Sequence, residues 1–587
     1  MEGVGERVPR LGYRPGLDGL RAIAVAGVFL YHARLHSDGS GLLSGGYLGV
    51  DLFFVLSGYL ITSLLLAEWD ERRVIDLRRF WARRARRLFP AVVVVVLVSL
   101  ILGATLARDD LAKTRGDAIS SLFYYTNWHE IIASHSYFAA VGRPSLLQHL
   151  WSLAVEEQFY VLWPLLLVPG LVMLGRKRFM IVVAAGIAAS TAEMWLLYNP
   201  EDPSRVYYGT DTRAALLLMG IMLALAWPYV ERLHGRRLLP LELLGAAALA
   251  GTVLLFHQMD DFSPTLYQGG DLAAAFCFAV LIASAAHPAG RLGRVIGCAP
   301  LRWVGARSYG MYLWHFPVLE LTRPGVDLSW SGPGLVVFQA ALVVLAAALS
   351  YRFVEQPIRT GRLQRWLAEW PKRRLFALGA TALLAAAFGA LFATPAPASS
   401  VQTELASQRV YFHLDKLPRF LDPPKPKAQP TLPLPPRVLG IGDSVMLGCS
   451  SELRQEVRHM RVDAVVGRQI EDAVARISHY RHSKAGLPPA VVVQLGDNGP
   501  AWYHDLVRIR HVLRGVPHVV VVNVRVDRSW EQQTNEQLKV FVDAWPQATL
   551  ADWYANSTDA ELSDGVHPWP YACTTYARII ANALRSG

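Results

Sequence analysis

R-V-L-G-I-G-D-S-V-M-L-G-C-S, residues Arg437 to Ser450, is the stretch on which the fold turns. Val438, Leu439 and Ile441 make a short apolar run suited to a strand buried on both faces. Gly442-Asp443-Ser444 interrupts it, and the residues from Val445 onward read as the start of a helix. A serine at the C-terminal tip of a strand, with glycine before it and helix after it, stands where α/β enzymes carry nucleophiles.

The following residues supply the rest of such a domain. Strand-like runs at Val438–Gly442, Arg461–Val466, Ala490–Leu495, His518–Val524 and Thr549–Trp553 alternate with helical patterns, and a last helix is expected from Trp569 to Leu584. Short strands alternating with helices predict an α/β/α domain over 437–587 with a five-stranded parallel sheet. Near its end D-G-V-H-P, Asp564 to Pro568, sets an aspartate and a histidine three residues apart in a loop before the final helix. His567 is then a candidate base for the Ser444 proton, and Asp564 a candidate to hold the imidazole tautomer. The third strand ends in Q-L-G-D-N-G, where the Asn498 amide is a candidate oxyanion donor; the Gly467 N–H at the end of the second is another. Each motif alone is an ordinary turn. Together, in this order and at one edge of a parallel sheet, they are a strong signal of a catalytic site. Cys449 and Cys573 also fall here; they are either a disulfide, if the domain lies outside the cytoplasm, or two unpaired buried thiols.

Upstream the chain changes character. Over 587 residues it is 52% hydrophobic and only 18% charged, a composition of polytopic membrane proteins. The formal charge of +11 lies mostly before residue 396, with 37 Lys and Arg against 28 Asp and Glu there and 21 against 19 after it. That distribution suits cytoplasmic loops better than a nucleic-acid surface. The first ten residues lack the apolar core of a signal peptide, so the first span is expected to be retained. About eleven spans are expected in a membrane domain over 1–394: Leu17–Arg34, Gly45–Ala67, Leu88–Ala107, Leu153–Leu174, Met180–Tyr198, Ala214–Val230, Leu239–His257, Leu272–His287, Ser308–Leu321, Leu335–Phe353 and Leu375–Thr394. The polar stretch Ala118–Ala133 reads as a re-entrant or surface helix. With a cytoplasmic N-terminus, about 28 Lys and Arg flank the inner side and about 7 the outer. The odd span count then puts the last domain outside a bacterial plasma membrane. Residues 395–436 are proline-dense, a stiff extended linker.

Two family resemblances follow from these residues. Gly442-Asp443-Ser444, Gly467, Gly496-x-Asn498 and Asp564-x-x-His567 resemble the four blocks of SGNH (GDSL-like) hydrolases and acyltransferases. The resemblance implies Ser444 as nucleophile, the Ser444 N–H, Gly467 and Asn498 as oxyanion donors, and Asp564 and His567 as the rest of a triad. One departure from G-D-S-L is Val445 after the serine. The G-D-S-V-M and L-G-x-N-G forms are similar to the branch fused to membrane acyltransferases, peptidoglycan O-acetyltransferases among them. Residues 1–360 resemble the membrane acyltransferase 3 family, in L-D-G-L-R-A-I-A-V (Leu17–Val25), F-L-Y-H (Phe29–His32), G-V-D-L-F-F-V-L-S-G-Y-L-I-T (Gly49–Thr62), F-W-A-R-R-A-R-R-L-F-P (Phe80–Pro90), H-L-W-S-L-A-V-E-E-Q-F-Y-V-L-W-P (His149–Pro164), S-Y-G-M-Y-L-W-H-F-P (Ser308–Pro317) and E-Q-P-I-R (Glu355–Arg359).

Ionisable residues inside spans are costly and mark function. His32, near the outer end of the first span, reads by itself as a packing histidine; the resemblance makes it the candidate acyl acceptor or general base. Arg84 and Arg87 share a helix face at the inner edge of the third span, where their guanidinium forks suit the phosphates of acyl-CoA. Positive-inside bias alone also places arginines there. Of Glu156 and Glu157, at the start of the fourth span, one is expected to polarise a histidine or acceptor and the other to cap the helix. Asp18 and Arg21 are spaced to pair with each other. The expected protein is an O-acyltransferase that carries an acyl group, foremost acetyl, from cytoplasmic acyl-CoA to a hydroxyl of an envelope glycan, foremost peptidoglycan. Lipopolysaccharide or exopolysaccharide is the alternative acceptor. A membrane-anchored esterase and a transporter with a sugar-binding domain are the rival classes. Its expected partners are the bilayer, acyl-CoA and the glycan, with no nucleic acid, no metal and no permanently bound cofactor.

Overall fold

In β1 (Val438–Gly442) successive side chains point to opposite sides of the sheet, and both sides are covered, because every residue of the strand is buried. A computed structural model describes residues 12–33, 43–106, 111–133, 144–199, 203–259, 263–362 and 433–586, except 324–326, 329, 331, 466, 467, 469, 484, 485, 499, 500, 502, 527–530, 563 and 564, together with Arg365, Gly389 and Phe392. The chain forms two compact units, one mainly of residues before 397 and one mainly of residues after it.

In the second unit β1 is followed by the short helices α1 (Ser444–Gly448) and α2 (Ser450–Glu456), then β2 (Met460–Ala464), α3 (Ile470–His482), β3 (Ala490–Gln494), α4 (Tyr503–Val512), β4 (His518–Val522), α5 (Glu531–Asp543), β5 (Ala548–Ala551) and α6 (Pro570–Ser586). All strand pairs are parallel, in the order β2-β1-β3-β4-β5. One face of the sheet, with Val438, Val492 and Val520, packs on Val445, Met446, Leu453, Tyr576 and Ile580 of α1, α2 and α6. The other, with Leu439, Ile441, Val491 and Val519, packs on Ile477, Leu506, Ile509 and Phe541 of α3, α4 and α5. The strand expectations hold to within two residues at each end, and the final helix begins one residue later than expected and runs two further. The order reverses direction between β1 and β3, so the crevice outside their C-terminal ends is where such sheets take ligands.

The first unit is helical. Among the described residues seven helices are long and apolar enough to cross a membrane: Leu48–Arg72, Leu77–Leu106, Gln148–Leu197, Thr210–Val230, Gly235–Gln258, Leu266–Ala286 and Pro333–Arg359. The expected first span is the helix Pro15–His32. Two expected spans, 153–174 and 180–198, lie within Gln148–Leu197, where Gly175 has φ 67° and ψ 163°. The chain reverses there: the rings of Trp163 and Phe179 stack at 5.8 Å, although a straight helix would hold them about 24 Å apart. The inner loop expected over 175–179 is thus a tight reversal at a residue that tolerates left-handed backbone. Ser308–Glu320 has only 13 residues. The stretch Ala118–Ala133 is the end of one short helix and the whole of another, Leu111–Leu122 and Thr126–Ile132, neither long enough to span. The eleventh expected span, Leu375–Thr394, lies outside the described residues apart from Gly389 and Phe392.

Small residues set the tightest helix contact. A Cβ on Gly58 would fall 2.1 Å from the Leu217 carbonyl oxygen, and one on Gly220 2.1 Å from that of Val55. Backbones approach this closely only where a side chain is missing. Beside this crossing the fully buried Arg213 donates to Asp51 at 2.8 Å and to Asp271 at 3.0 Å, tying three helices together under the Tyr207 ring. Arg213→Met should leave two carboxylates buried without their cation and cost about 3–5 kcal/mol. Thermal unfolding of the detergent-purified chain checks this, and adding Asp51→Asn with Asp271→Asn should recover most of the loss.

Candidate active site

The turn that ends β1 builds the first part of the site. Asp443 caps α1, its Oδ1 accepting the Val445 N–H at 3.0 Å, and this turns the chain sharply enough to lift Ser444 over the sheet edge. Gly442 admits the turn, since a Cβ there would meet Met446 at 2.5 Å. At the far end of the domain, Leu562 and Pro568 form an isolated antiparallel bridge around Gly565 at φ 83°, and Val566 is buried. This pinched loop brings His567 Nε2 to 2.8 Å from Ser444 Oγ. With Nε2 unprotonated, the ring is placed to take the hydroxyl proton.

Asn498, also expected in the site, lies at the tip of β3, and its Nδ2 donates to Asp443 Oδ2 at 3.1 Å. One amide hydrogen is thus used to join the β1 and β3 tips, and an amide nitrogen carries two. Asp564 and Gly467 lie outside the described residues. Arg468, which sequence reasoning passed over, holds the β2 end in place: it donates to the Gly442 carbonyl at 3.3 Å and to Asp463 Oδ1 at 2.7 Å. Burial would raise the Asp463 carboxyl, but hydrogen bonds from Tyr480, Arg468 and Arg476 outweigh it and hold the group down at about 2. Cys449 and Cys573 are bonded to each other, which joins the segment after α1 to the first turn of α6.

A second residue missed in the sequence is Asp497. It is buried beside Asp443, and the Gln494 amide donates to its Oδ2. Burial, with the neighbouring Asp443, pushes its carboxyl well above the ordinary range. Burial likewise pushes Asp443 up to about 6, against the opposing hydrogen bond of Val445. Two carboxyls this close in a dry site hold a proton between them.

In the membrane half the expected residues fall into two groups. Asp18, Arg21, Arg84 and Arg87 line one cavity of about 260 Å³, together with Arg14 and Tyr160. Arg21, Arg84 and Arg87 also line an adjoining one with Ser57, Glu156 and Tyr312. Asp18 accepts from the Tyr13 hydroxyl at 2.8 Å, and among the described residues it forms no ion pair with Arg21. Glu156 accepts from Ser57 and, at 2.6 Å, from Tyr160. Neither Glu156 nor Glu157 caps a helix, because theirs begins at Trp151 and places both in its second turn. His32 stands apart, eleven residues beyond Arg21 on one helix and about 16 Å along it. Its Nδ1 donates to the Val28 carbonyl at 2.8 Å. Two histidines missed in the sequence join it: His315 at 5.1 Å between ring centres, and His149 at 5.3 Å from His315. His149 Nδ1 and His315 Nε2 are buried without a hydrogen-bond partner among the described residues. Both occur in the stretches His149–Pro164 and Ser308–Pro317, and the rule that intramembrane histidines are costly applies to them as it does to His32.

Comparison with known proteins fits this two-part arrangement. Residues 14–352 match the family model described as an acyltransferase domain. The chain belongs to that acyltransferase family and is an acyltransferase of groups other than aminoacyl groups. Among its relatives it is 33% identical to the peptidoglycan O-acetyltransferase OatA of Listeria monocytogenes, over 97% of this chain and 98% of that one. It is 36% identical to a Bacillus subtilis protein named "Putative peptidoglycan O-acetyltransferase YrhL", over 98% of this chain and 99% of that one. The C-terminal catalytic domain of Streptococcus pneumoniae OatA, solved with a methylsulfonyl adduct, is 23% identical over 26% of this chain and 95% of that one, with a TM-score of 0.25.

The shared proton has a measurable sign. Because the folded pair binds protons more tightly than free aspartates do, it adds stability below the unfolded value near 4 and loses it as pH rises through about 6. Asp497→Asn can accept from Gln494 and donate to Asp443 as the protonated acid does. Its denaturant midpoint should fall less steeply than that of the parent between pH 4 and pH 8, with activity retained at pH 7. Asp497→Ala should lose both stability and activity.

Proposed function

We propose that this acyltransferase is a cell-envelope O-acetyltransferase that takes acetyl from cytoplasmic acetyl-CoA and delivers it to a hydroxyl of peptidoglycan, with residues 437–587 as its extracytoplasmic acetyl-transfer domain of SGNH type. The observation that carries the proposal is the 2.8 Å contact of His567 with Ser444 at a strand-order reversal, in a chain whose other half is a membrane acyltransferase. The names of the two full-length relatives point to the acceptor.

Ser444 Oγ attacks the carbonyl carbon of the incoming acetyl group and passes its proton to His567 Nε2. The tetrahedral intermediate collapses, its leaving group departs with that proton, and an acetyl-serine remains. A glycan hydroxyl then attacks the ester carbon, giving its proton to His567, and Ser444 regains a proton as the product ester leaves. The Ser444 N–H, Gly467 and Asn498 carry the oxyanion in both steps, and Asp564 orients the ring. In the membrane half the guanidinium groups of Arg14, Arg21, Arg84 and Arg87 around one cavity suit the phosphates of the donor. His32 stands where the acetyl group is received farther along the same helix, its Nδ1–H fixed on Val28 so that the neutral ring presents Nε2 as base. Eight or more crossings are more than an anchor needs.

Mass analysis of envelope glycans, with the gene deleted and restored, tests the function. Deletion should remove O-acetyl muramic acid, and neither Ser444→Ala nor His32→Ala should restore it, each falling by at least about 10²-fold. Unchanged glycan acetylation sinks the proposal. Acetylation that rises on deletion, with Ser444→Ala alone mattering, identifies an esterase.

A further inference from the structure

The edge of the sheet opposite Ser444 is basic. Because all five strands are parallel, their N-terminal ends share one edge. Arg437 stands directly before β1, and Arg458 and His459 directly before β2, where the His459 carbonyl accepts the Val438 N–H at 3.3 Å. Arg481 at the end of α3 reaches the carbonyls of Val512 and Arg514, at 2.9 and 2.7 Å, and Arg510 reaches that of Ala544 at 3.3 Å. These contacts string the cations into one row across β2, β1, β3 and β4. All six of Arg437, Arg458, His459, Arg481, Arg510 and Arg514 are exposed. Of the carboxylates near this edge, Glu456 is half-buried and Asp543 exposed. The Ser444 edge carries the opposite sign, with Asp443, Asp497, Glu531, Asp552 and Glu561. Cations at helix ends offset the carbonyl dipole, which explains Arg481 and Arg510. It does not explain Arg437, which follows two prolines and no helix.

We infer that this basic edge docks on the anionic phospholipid headgroups of the bilayer that the rest of the chain spans. Charge complementarity selects the occupant, and so does the tether: the linker from the membrane half enters the domain at Arg437, within the row itself. A domain with separated charge at its two edges turns in the field of an anionic surface, basic edge down. Each guanidinium named as reaching a carbonyl does so through one nitrogen and keeps further N–H groups for a phosphate. The Ser444 edge, about 16 Å away along the strands, then faces away from the headgroups and towards a polymer acceptor. This orientation deepens the proposed function but needs no turnover to be observed.

Hydrogen exchange on the full chain in lipid nanodiscs tests it. Peptides covering 456–461 and 510–515 should exchange several-fold more slowly in phosphatidylglycerol discs than in phosphatidylcholine discs. The difference should vanish at 1 M salt, where charges are screened beyond about 3 Å. The triple variant Arg458→Glu, Arg510→Glu, Arg514→Glu should abolish it while the peptide covering Ser444 exchanges as in the parent, showing an intact fold. Equal exchange in the two discs overturns the inference. Protection that appears only when a soluble anionic polymer is added to phosphatidylcholine discs also overturns it and assigns the edge to that polymer.

Discussion

Asp443 is a carboxyl with no access to water, and the geometry at the sheet edge follows from satisfying it. An unpaired buried carboxylate is far too costly to keep, so each of its lone pairs must meet a donor. The Val445 N–H is one, and it makes the turn that presents Ser444. The Asn498 amide is another, and it binds the tip of β3 to that of β1. Asp497 supplies a third when protonated, and Gln494 in turn holds Asp497. The oxyanion-side asparagine and the nucleophile are therefore positioned by one buried group that itself does no chemistry. The same requirement makes the edge rigid, because loosening any partner strands the carboxyl.

The membrane half meets the same cost by separating its charges. Cations gather around the cavity at the start of the helix Pro15–His32, while the far end of that helix carries histidines that can be neutral. Between them Glu156 is held by two hydroxyls, and Arg213 by two carboxylates. A polyanionic donor is suited to the first level and excluded from the second by charge and by space. Only the small acyl group has reason to travel the intervening length.

Much of the C-terminal fold was legible because its strands are continuous runs of valine and isoleucine, which only a sheet covered on both faces buries. Ser444 and His567 were legible as a pair because strand tips and the closing loop of a parallel sheet share one edge. Asp497 was not, since a carboxyl inside Gly-Asp-Asn reads as a turn, and its burial depends on the Asp443 and Gln494 side chains around it. The Gly175 reversal was read as a basic loop, because Arg176, Lys177 and Arg178 satisfy the positive-inside pattern whether the turn is long or short. Glu157 was read as a cap because the apolar run seemed to start there, whereas the helix begins at Trp151 after a 3-10 turn at Gln148–Leu150. The partners of Arg213 lie on helices far apart in sequence, and no spacing rule joins them.

The contact between Ser444 and His567 cannot hold itself. One such hydrogen bond contributes only about 0.5–1.5 kcal/mol, while the residues it joins are 123 apart in the chain. What fixes the distance is the packing beneath it. Leu453 of α2 and Tyr576, Ala577 and Ile580 of α6 belong to one core layer, and the Cys449–Cys573 bond crosses it five residues after the serine and six after the histidine. Closing a loop of that length in the unfolded chain is worth about 4–5 kcal/mol in the chain-entropy model, several times the hydrogen bond above it. The disulfide is thus the larger constraint, and the catalytic distance is inherited from it and from the helix packing.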